Sequence, residues 1–289
     1  MVTKEIMSDC NFFTSLLVIA VIPAGVYAWG YEAHRITANI AQHFLSPPAV
    51  DVIYGLLEPT YRGHLGPIAS WADEIKRNNC EHDFCVTTAI ANYTGRLQDC
   101  KLSTLQRNEA LKFITHFIGD ISQPMHVSGR ARGGNEAACI FDGRSTQLHA
   151  VWDTMLVEKH VKTAFHNESD FTAYLIDSLE SGPLSMNRTQ WESCFPNAKS
   201  PTGIECINEW AVDTNQASCG AWAAYAQGGD LGRGEQYERM SRIMELQIAK
   251  GGVRLAAFLN AVLDKKCGRM DYRSSRSNSN DFRSSRQLD

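Results

Sequence analysis

The sequence predicts a single, mostly α-helical domain, and three observations carry that expectation. Apolar residues recur at three- and four-residue spacing through its longest patterned stretches, no stretch sustains period-two alternation between hairpin turns, and nothing repeats at a solenoid period. Of the 289 residues, 44% are hydrophobic and 21% charged. That is enough apolar side chain for one large core and too much for a disordered chain. The formal net charge of −4 excludes the simple route to nucleic acid, a basic surface that neutralises phosphates. Chemistry on such a substrate would need local cations, of which bound metal ions are the obvious kind.

Along the chain, residues 11–28 come first, an apolar stretch preceded by Lys4 and closed by Val26-Tyr27-Ala28. A cationic start, an apolar middle and a Val-x-Ala end read as a secretory signal peptide. A membrane anchor is the weaker reading, because Thr14, Ser15 and Pro23 interrupt a stretch already short for a span. Cleavage after Ala28 makes Trp29 the mature N-terminus. Residues 29–267 form the expected domain. Helices are predicted over 32–44, 49–57, 86–97, 148–162 and 171–181, and around the stripe Ala110, Phe113, Ile114, Phe117 and Ile118. The last, over 237–263, has the Gly251-Gly252 pair as its candidate interruption. Loops are expected at Ser46-Pro47-Pro48, 129–135 and 197–203. The Ser/Arg/Asn-rich tail 268–289 cannot bury enough apolar surface to order itself. The tail contributes +2 and the leader −1, which leaves −5 for the body.

Cysteine usage agrees with export. Cys10 goes with the leader, leaving eight: Cys80, Cys85, Cys100, Cys139, Cys194, Cys206, Cys219 and Cys267. An even number in an exported chain suggests disulfides of unspecified pairing, and none shows the CxxC spacing of a zinc-thiolate site. Sequons at Asn92, Asn167 and Asn187 are expected surface sites of glycosylation.

The chemistry lies in histidine and aspartate placement. His116 and Asp120 are four apart, as are His149 and Asp153, a spacing that puts both side chains on one helix face. An imidazole nitrogen and a carboxylate oxygen held this way form half a coordination shell for zinc. His126 follows just after Pro124, where a helix should end; His34 lies near the mature N-terminus, and Asp73 sits in the tetrapeptide SWAD. One such pair is ordinarily a surface ion pair. Two identical pairs plus His126 in an exported helical chain point to a multi-zinc site. His43, His64, His160 and His166 lack such context and read as ordinary histidines.

Together Trp29-Gly30, His34, SWAD around Asp73, CVTTAIANYT, HFIGDISQPMHV, the GGN at Gly133–Asn135 and LHAVWD resemble the secreted zinc-dependent single-strand nucleases of fungi and plants, the S-one/P-one family, with wording nearest the fungal branch. The resemblance covers most of the body. It implies a mostly α fold of the zinc nuclease and phospholipase C type with three zinc ions. It also implies cleavage of single-stranded DNA and RNA to 5′-nucleotides through a zinc-bound hydroxide, with 3′-nucleotidase activity. On this sequence the resemblance places one zinc on the amino group and carbonyl of Trp29 with His34 and Asp120. A second falls to His126, His149 and Asp153, and a third to Asp73, His116 and a bridging Asp120. Asp73 would accept the proton of the attacking water, Lys76 matches the family's phosphate-contacting cation, and Asn135 either binds substrate or holds its loop. A secreted monomer acting on single-stranded nucleic acid and nucleotides, with no membrane partner, is the expectation.

The chain departs from this pattern in one place. Between SWAD and AIANYT the family carries a Leu-His-Phe/Tyr motif whose histidine completes the Asp73/His116 zinc. Here Ile75-Lys76-Arg77 runs almost directly into residues 78–85, and a few dozen residues are missing. His82 is the sole histidine left in the segment, in surroundings unlike the ligand motif. The expectation is that the Asp73/His116 zinc is weak or absent while the other two ions stay, and that the activity is impaired. A zinc phospholipase C-like enzyme and an inactive helical glycoprotein are the alternatives; AIANYT and GGN favour the nuclease.

Overall fold

A computed structural model describes residues 29–75 and 86–263. The leader, Lys76, His82, Cys80, Cys85, Cys267 and the tail lie outside the described residues. The fold is mostly α. Helix α1 (Tyr31–His43) turns Ala33, Ile36, Thr37 and Ile40 inward. Helix α2 (Pro47–Leu56) starts on its two prolines, capped by the Ser46 side chain. The Ser-Pro-Pro expected as a loop is thus a helix start, since proline at the first helical positions loses no intrahelical bond. After α3 (Trp71–Ile75) and α4 (Val86–Gln98) comes α5 (Thr104–Ser122), opened by a reciprocal capping box of Ser103 and Gln106.

A short antiparallel hairpin, β1 (Ala138–Phe141) and β2 (Arg144–Gln147), pairs Phe141 with Arg144 across Asp142-Gly143. Both turn residues have positive φ, +50° and +77°, the Asp-Gly requirement of a two-residue hairpin turn. The hairpin is a correction to the sequence reading; its strands are four residues each, too short for alternation to show.

Helix α6 spans 148–165 and contains two wide π turns, 151–155 and 161–165. It is followed by α7 (Glu168–Glu180), α8 (Ser185–Glu192), α9 (Ile204–Ala226) and α10 (Gly234–Leu263). The 23-residue α9 and the short α3 and α8 were not expected. The inward stripe of α9 runs Cys206, Ile207, Trp210, Thr214, Ser218, Ala221 and Trp222, helically spaced but built largely from small and polar residues.

Helix α10 is continuous and buried against α1, α5 and α9. The Gly251-Gly252 pair does not interrupt it. A Cβ at Gly252 would lie 2.4 Å from Cγ2 of Ile40, and one at Gly251 2.6 Å from Oγ of Ser122; the glycines let three helices approach. α10 is long and apolar enough to cross a membrane, but most of that stretch is buried inside the protein. Two apolar clusters result. Ile114 and Ile118 anchor α5 in one with Trp210 and Phe258; Leu148, Val151 and Trp152 anchor α6 in the other with Trp29 and Phe171.

Cys194 and Cys206 form a disulfide, and Cys100 and Cys219 are also disulfide-bonded. Cys139 is free, against the full pairing an even count suggests, and partial burial pushes its thiol up to about 11.

Two glycine substitutions separate close packing from helix propensity. Gly252→Ala should destabilise the protein by about 1–3 kcal/mol through overpacking. Gly95→Ala, in α4 with nothing within 4 Å of the added Cβ, should stabilise it by about 0.5–1 kcal/mol. Thermal denaturation of both variants checks the pair.

Candidate metal centre

Three elements converge on Asp120. Helix α5 brings His116 and Asp120, and α1 brings His34 from its first turn, where the His34 amide donates to the Gly30 carbonyl at 3.2 Å. The approach depends on Gly119, where a Cβ would lie 2.6 Å from Nδ1 of His34. The His34 and His116 rings stack with centroids 4.1 Å apart. The Asp120 carboxylate spans them, Oδ1 at 3.3 Å from His34 Nε2 and Oδ2 at 3.4 Å from His116 Nε2. Asp73, from the short helix α3, brings Oδ1 to 3.5 Å from His116 Nε2.

A second group joins His126, from the turn after α5, to His149 and Asp153 of α6. Nε2 of His126 lies 3.3 Å from Asp153 Oδ1, and Nε2 of His149 lies 3.1 Å from Oδ2. Asp153 sits within the first π turn, where such turns commonly mark functional positions. The Asp153 carbonyl accepts the Gly30 amide at 2.5 Å, and a Cβ at Gly30 would meet that oxygen at 2.7 Å. Trp29, fully buried, is thereby fixed beside the centre.

These separations bear on what the groups could hold. A histidine–carboxylate hydrogen bond runs about 2.7–2.9 Å, whereas donors about 2.0–2.1 Å from a tetrahedral zinc stand roughly 3.4 Å apart. All five separations fall between 3.1 and 3.5 Å. His34 is wholly buried, yet neither of its ring nitrogens makes a hydrogen bond, and the same holds for Oδ1 of Asp120. Two sets, His34–His116–Asp120 and His126–His149–Asp153, each offer three donors within 4.8 Å of one another. The donor chemistry and the unbonded buried nitrogens fit zinc.

The surroundings prepare the ligands. Nδ1 of His116 donates to the Ala69 carbonyl at 2.8 Å and Nδ1 of His149 to the Gly133 carbonyl at 2.7 Å. A proton on Nδ1 leaves Nε2 as the free lone pair. Burial, aided by neighbouring His116, pushes His34 below its ordinary value and keeps it neutral. For Asp120, burial works against ionisation but is outweighed by His116, His34 and His126, which hold the carboxyl well below the usual range. Burial also opposes charge on His116, but Asp120 and Asp73 outweigh it and raise its pKa.

The S1/P1 Nuclease family profile matches residues 29–82 and 77–264. The chain belongs to the S1/P1 nuclease family. It is 35% identical to Nuclease PA3 of a Penicillium species and 34% identical to Nuclease P1 of Penicillium citrinum. Each comparison covers 81% of this chain and 97% of the relative. It is 30% identical to Endonuclease 4 of Arabidopsis thaliana, over 89% of this chain and 96% of that protein. As an S1/P1 family member the chain is a hydrolase of the nuclease class, in a family whose enzymes depend on zinc.

The S1/P1 match also locates the missing segment. Its two blocks meet at residues 77–82. The Nuclease P1 alignment has 267 positions, while 81% of this chain is about 234 residues, so about 33 of those positions face no residue here. His34, Asp73, His116, Asp120, His126, His149 and Asp153 meet in these groups, and Trp29 precedes Gly30, whose amide bonds the Asp153 carbonyl. Lys76 lies outside the described residues. Asn135 closes its own loop, Nδ2 donating to the Arg132 carbonyl at 2.9 Å. Asn92, Asn167 and Asn187 are all exposed.

Sequence reasoning missed Gln123. It is fully buried between the two ligand pairs, with Nε2 donating to Asp153 Oδ1 at 2.6 Å and Oε1 accepting the Met125 amide at 2.5 Å. Its signal was its place at the end of α5, directly before Pro124. Gln123→Ala should weaken zinc at the His126–His149–Asp153 group by about 10–100-fold, the usual effect of removing such a supporting bond. Competition with a chelator of known affinity measures it.

Proposed function

We propose that this chain is a secreted endonuclease that hydrolyses single-stranded DNA and RNA to 5′-nucleotides and removes 3′-phosphates from nucleotides. The observation that carries the reading is the set of five nitrogen–oxygen separations near the tetrahedral-zinc value, on residues matching an S1/P1 family profile. Zinc bound there supplies a water of near-neutral pKa and positive charge for the phosphate. The residues do the rest. Asp120 keeps His34 and His116 in register, the backbone carbonyls of Ala69 and Gly133 orient His116 and His149, and Gln123 fixes Asp153. Asp73, at the edge of the first group, accepts the proton of the attacking water on its carboxylate. Preference for single strands follows because a base must leave its stack to reach such a site, which duplex pairing opposes.

The proposal includes two zinc ions where the family resemblance implied three. Asp73 and His116 share Asp120 with His34, and among the described residues no further donor joins them. Removal of the leader belongs to the same reading, because an acylated Trp29 nitrogen cannot bind metal. Export, glycans on Asn92, Asn167 and Asn187, and a monomer free of membranes complete it.

The test is hydrolysis of denatured against duplex DNA, with zinc counted on the same purified mature protein. Release of acid-soluble 5′-nucleotides from denatured DNA, with two ions per chain and loss of hydrolysis in His126→Ala, supports the proposal. Three tightly held ions overturn the two-zinc assignment. Equal cleavage of duplex, or release of choline phosphate from phospholipid in place of nucleotides, overturns the substrate assignment. An extension retained ahead of Trp29 should lower the zinc count by one.

A further inference from the structure

Helix α3 is five residues long, too short to hold itself as a helix, yet it and the turn before it deliver two of the contacts at the centre. Asp73 brings Oδ1 to 3.5 Å from Nε2 of His116. The Ala69 carbonyl, two residues ahead of the helix, accepts from Nδ1 of the same ring at 2.8 Å. Both contacts depend on where residues 69–73 lie along α5. The approach to this stretch is secured by buried Leu65, Ile68 and Ala69, and the Leu65 amide donates to Oε1 of Gln42 at 3.0 Å. Within α3 itself Glu74 and Ile75 are exposed and Ala72 offers only a methyl group. The grip of α3 on α5 therefore falls to Trp71.

Trp71 is seated on two consecutive residues of α5. Its ring meets Phe113 edge-on with centroids 5.3 Å apart, and Nζ of Lys112 stands 5.0 Å from its centroid. Lys112 lies one turn before His116 on α5, a spacing that puts both side chains on one face, and both are buried. Helix α3 thus meets that face twice, at Lys112 through Trp71 and at His116 through Asp73. The Lys112 ammonium also lies 5.3 Å from the Tyr61 centroid and donates to Oε1 of Glu58 at 2.7 Å. Oε2 of Glu58 accepts from Nδ2 of Asn108 at 3.0 Å, one turn further back on α5.

The ion pair with Glu58 does not by itself account for this placement. The Glu58 side chain is 45% exposed and that of Lys112 4%. A lysine that served only that carboxylate could reach it from solvent, since lysine ordinarily keeps its charged head in water. Here the ammonium is buried against two aromatic rings, and a desolvated cation over an indole is the stronger form of that contact.

We propose that Lys112 is a positioning residue for the metal centre: through the Trp71 indole it fixes α3 on α5, and so sets Asp73 and the Ala69 carbonyl on His116. The inference deepens the nuclease reading, in which Asp73 is the proton acceptor, but its first measurement needs no substrate, so the two can fail separately.

Zinc affinity is measured on the purified mature protein by competition with a chelator of known affinity, in two backgrounds. His126→Ala leaves the His34–His116–Asp120 group to report, and His34→Ala leaves the His126–His149–Asp153 group. Lys112→Met keeps the stem without the charge, and combining it with Glu58→Gln avoids a carboxylate that faces no cation. This double change should weaken zinc at the first group by about 10–100-fold, the usual effect of losing support behind a ligand, and leave the second unaltered. Trp71→Leu should do the same, and adding it to the double change should weaken zinc no further, because both act through one contact. Glu58→Gln alone should leave both affinities as they are. With both groups intact, the double change should lower kcat on denatured DNA with KM little altered, as removal of an interaction made only in the transition state does. Unchanged zinc at the first group overturns the proposal, and so does loss at both groups together, which marks a role in the fold at large. Equal weakening by Glu58→Gln alone, or additive losses with Trp71→Leu, also overturns it. A protein that shows the zinc result but cuts no nucleic acid upholds this proposal and overturns the nuclease reading.

Discussion

The centre is organised by one carboxylate in one narrow gap. Asp120 reaches His34 with one oxygen and His116 with the other, and it does so because Gly119 leaves no side chain between α5 and the His34 ring. Everything else at that end of the molecule is adjusted to the contact. The N-terminal turn is tied to α6 through the Gly30 amide, α10 carries paired glycines so that α1 and α5 can close on it, and Ala69 fixes the far side of His116. Burial opposes the charge on Asp120, and the neighbouring imidazoles outweigh it and keep the carboxylate ionised. A buried anion between two imidazoles, one held neutral by burial, is a preorganised receptor for positive charge.

That arrangement changes the meaning of the acidic composition. A body of charge −5 argues against a basic binding surface for nucleic acid, and the fold does not build one over the whole molecule. It concentrates aspartates where dications belong. With the zinc of the proposed function in place, positive charge is local and the remaining surface is free to stay acidic.

Much of the centre was legible in the sequence because its ligands sit at helical spacings. His116 with Asp120 and His149 with Asp153 are i,i+4 pairs whose chemistry is visible without coordinates. What could not be read was support from a distance. Gln123 bears on Asp153 across 30 residues, and Ala69 on His116 across 47 through a carbonyl any residue would have. For the fold, helices with strong aliphatic stripes, such as α5 and α10, were evident. Helix α9 was hidden because Thr214 and Ser218 hold positions an aliphatic residue would normally mark, and Gly251-Gly252 looked like a break because close helix packing and helix breaking use the same residue type.

The wide turn at 151–155 bears on how the length of this chain is allowed to vary. The alignment with Nuclease P1 leaves about 33 positions facing no residue of this chain, and the family profile breaks at residues 77–82, between α3 and α4 in the sequence. Within α6 the tolerance is of another order. Each π turn of α6 holds one residue more than an α-helical turn, so a residue gained or lost there is taken up as a bulge while the turns on either side keep their faces. Leu156, Val157 and Val161 accordingly stay buried beyond the first wide turn, and Asp153 sits within it. A regular α-helical turn has no such reserve, since one residue fewer there rotates all that follows by about 100° about the helix axis.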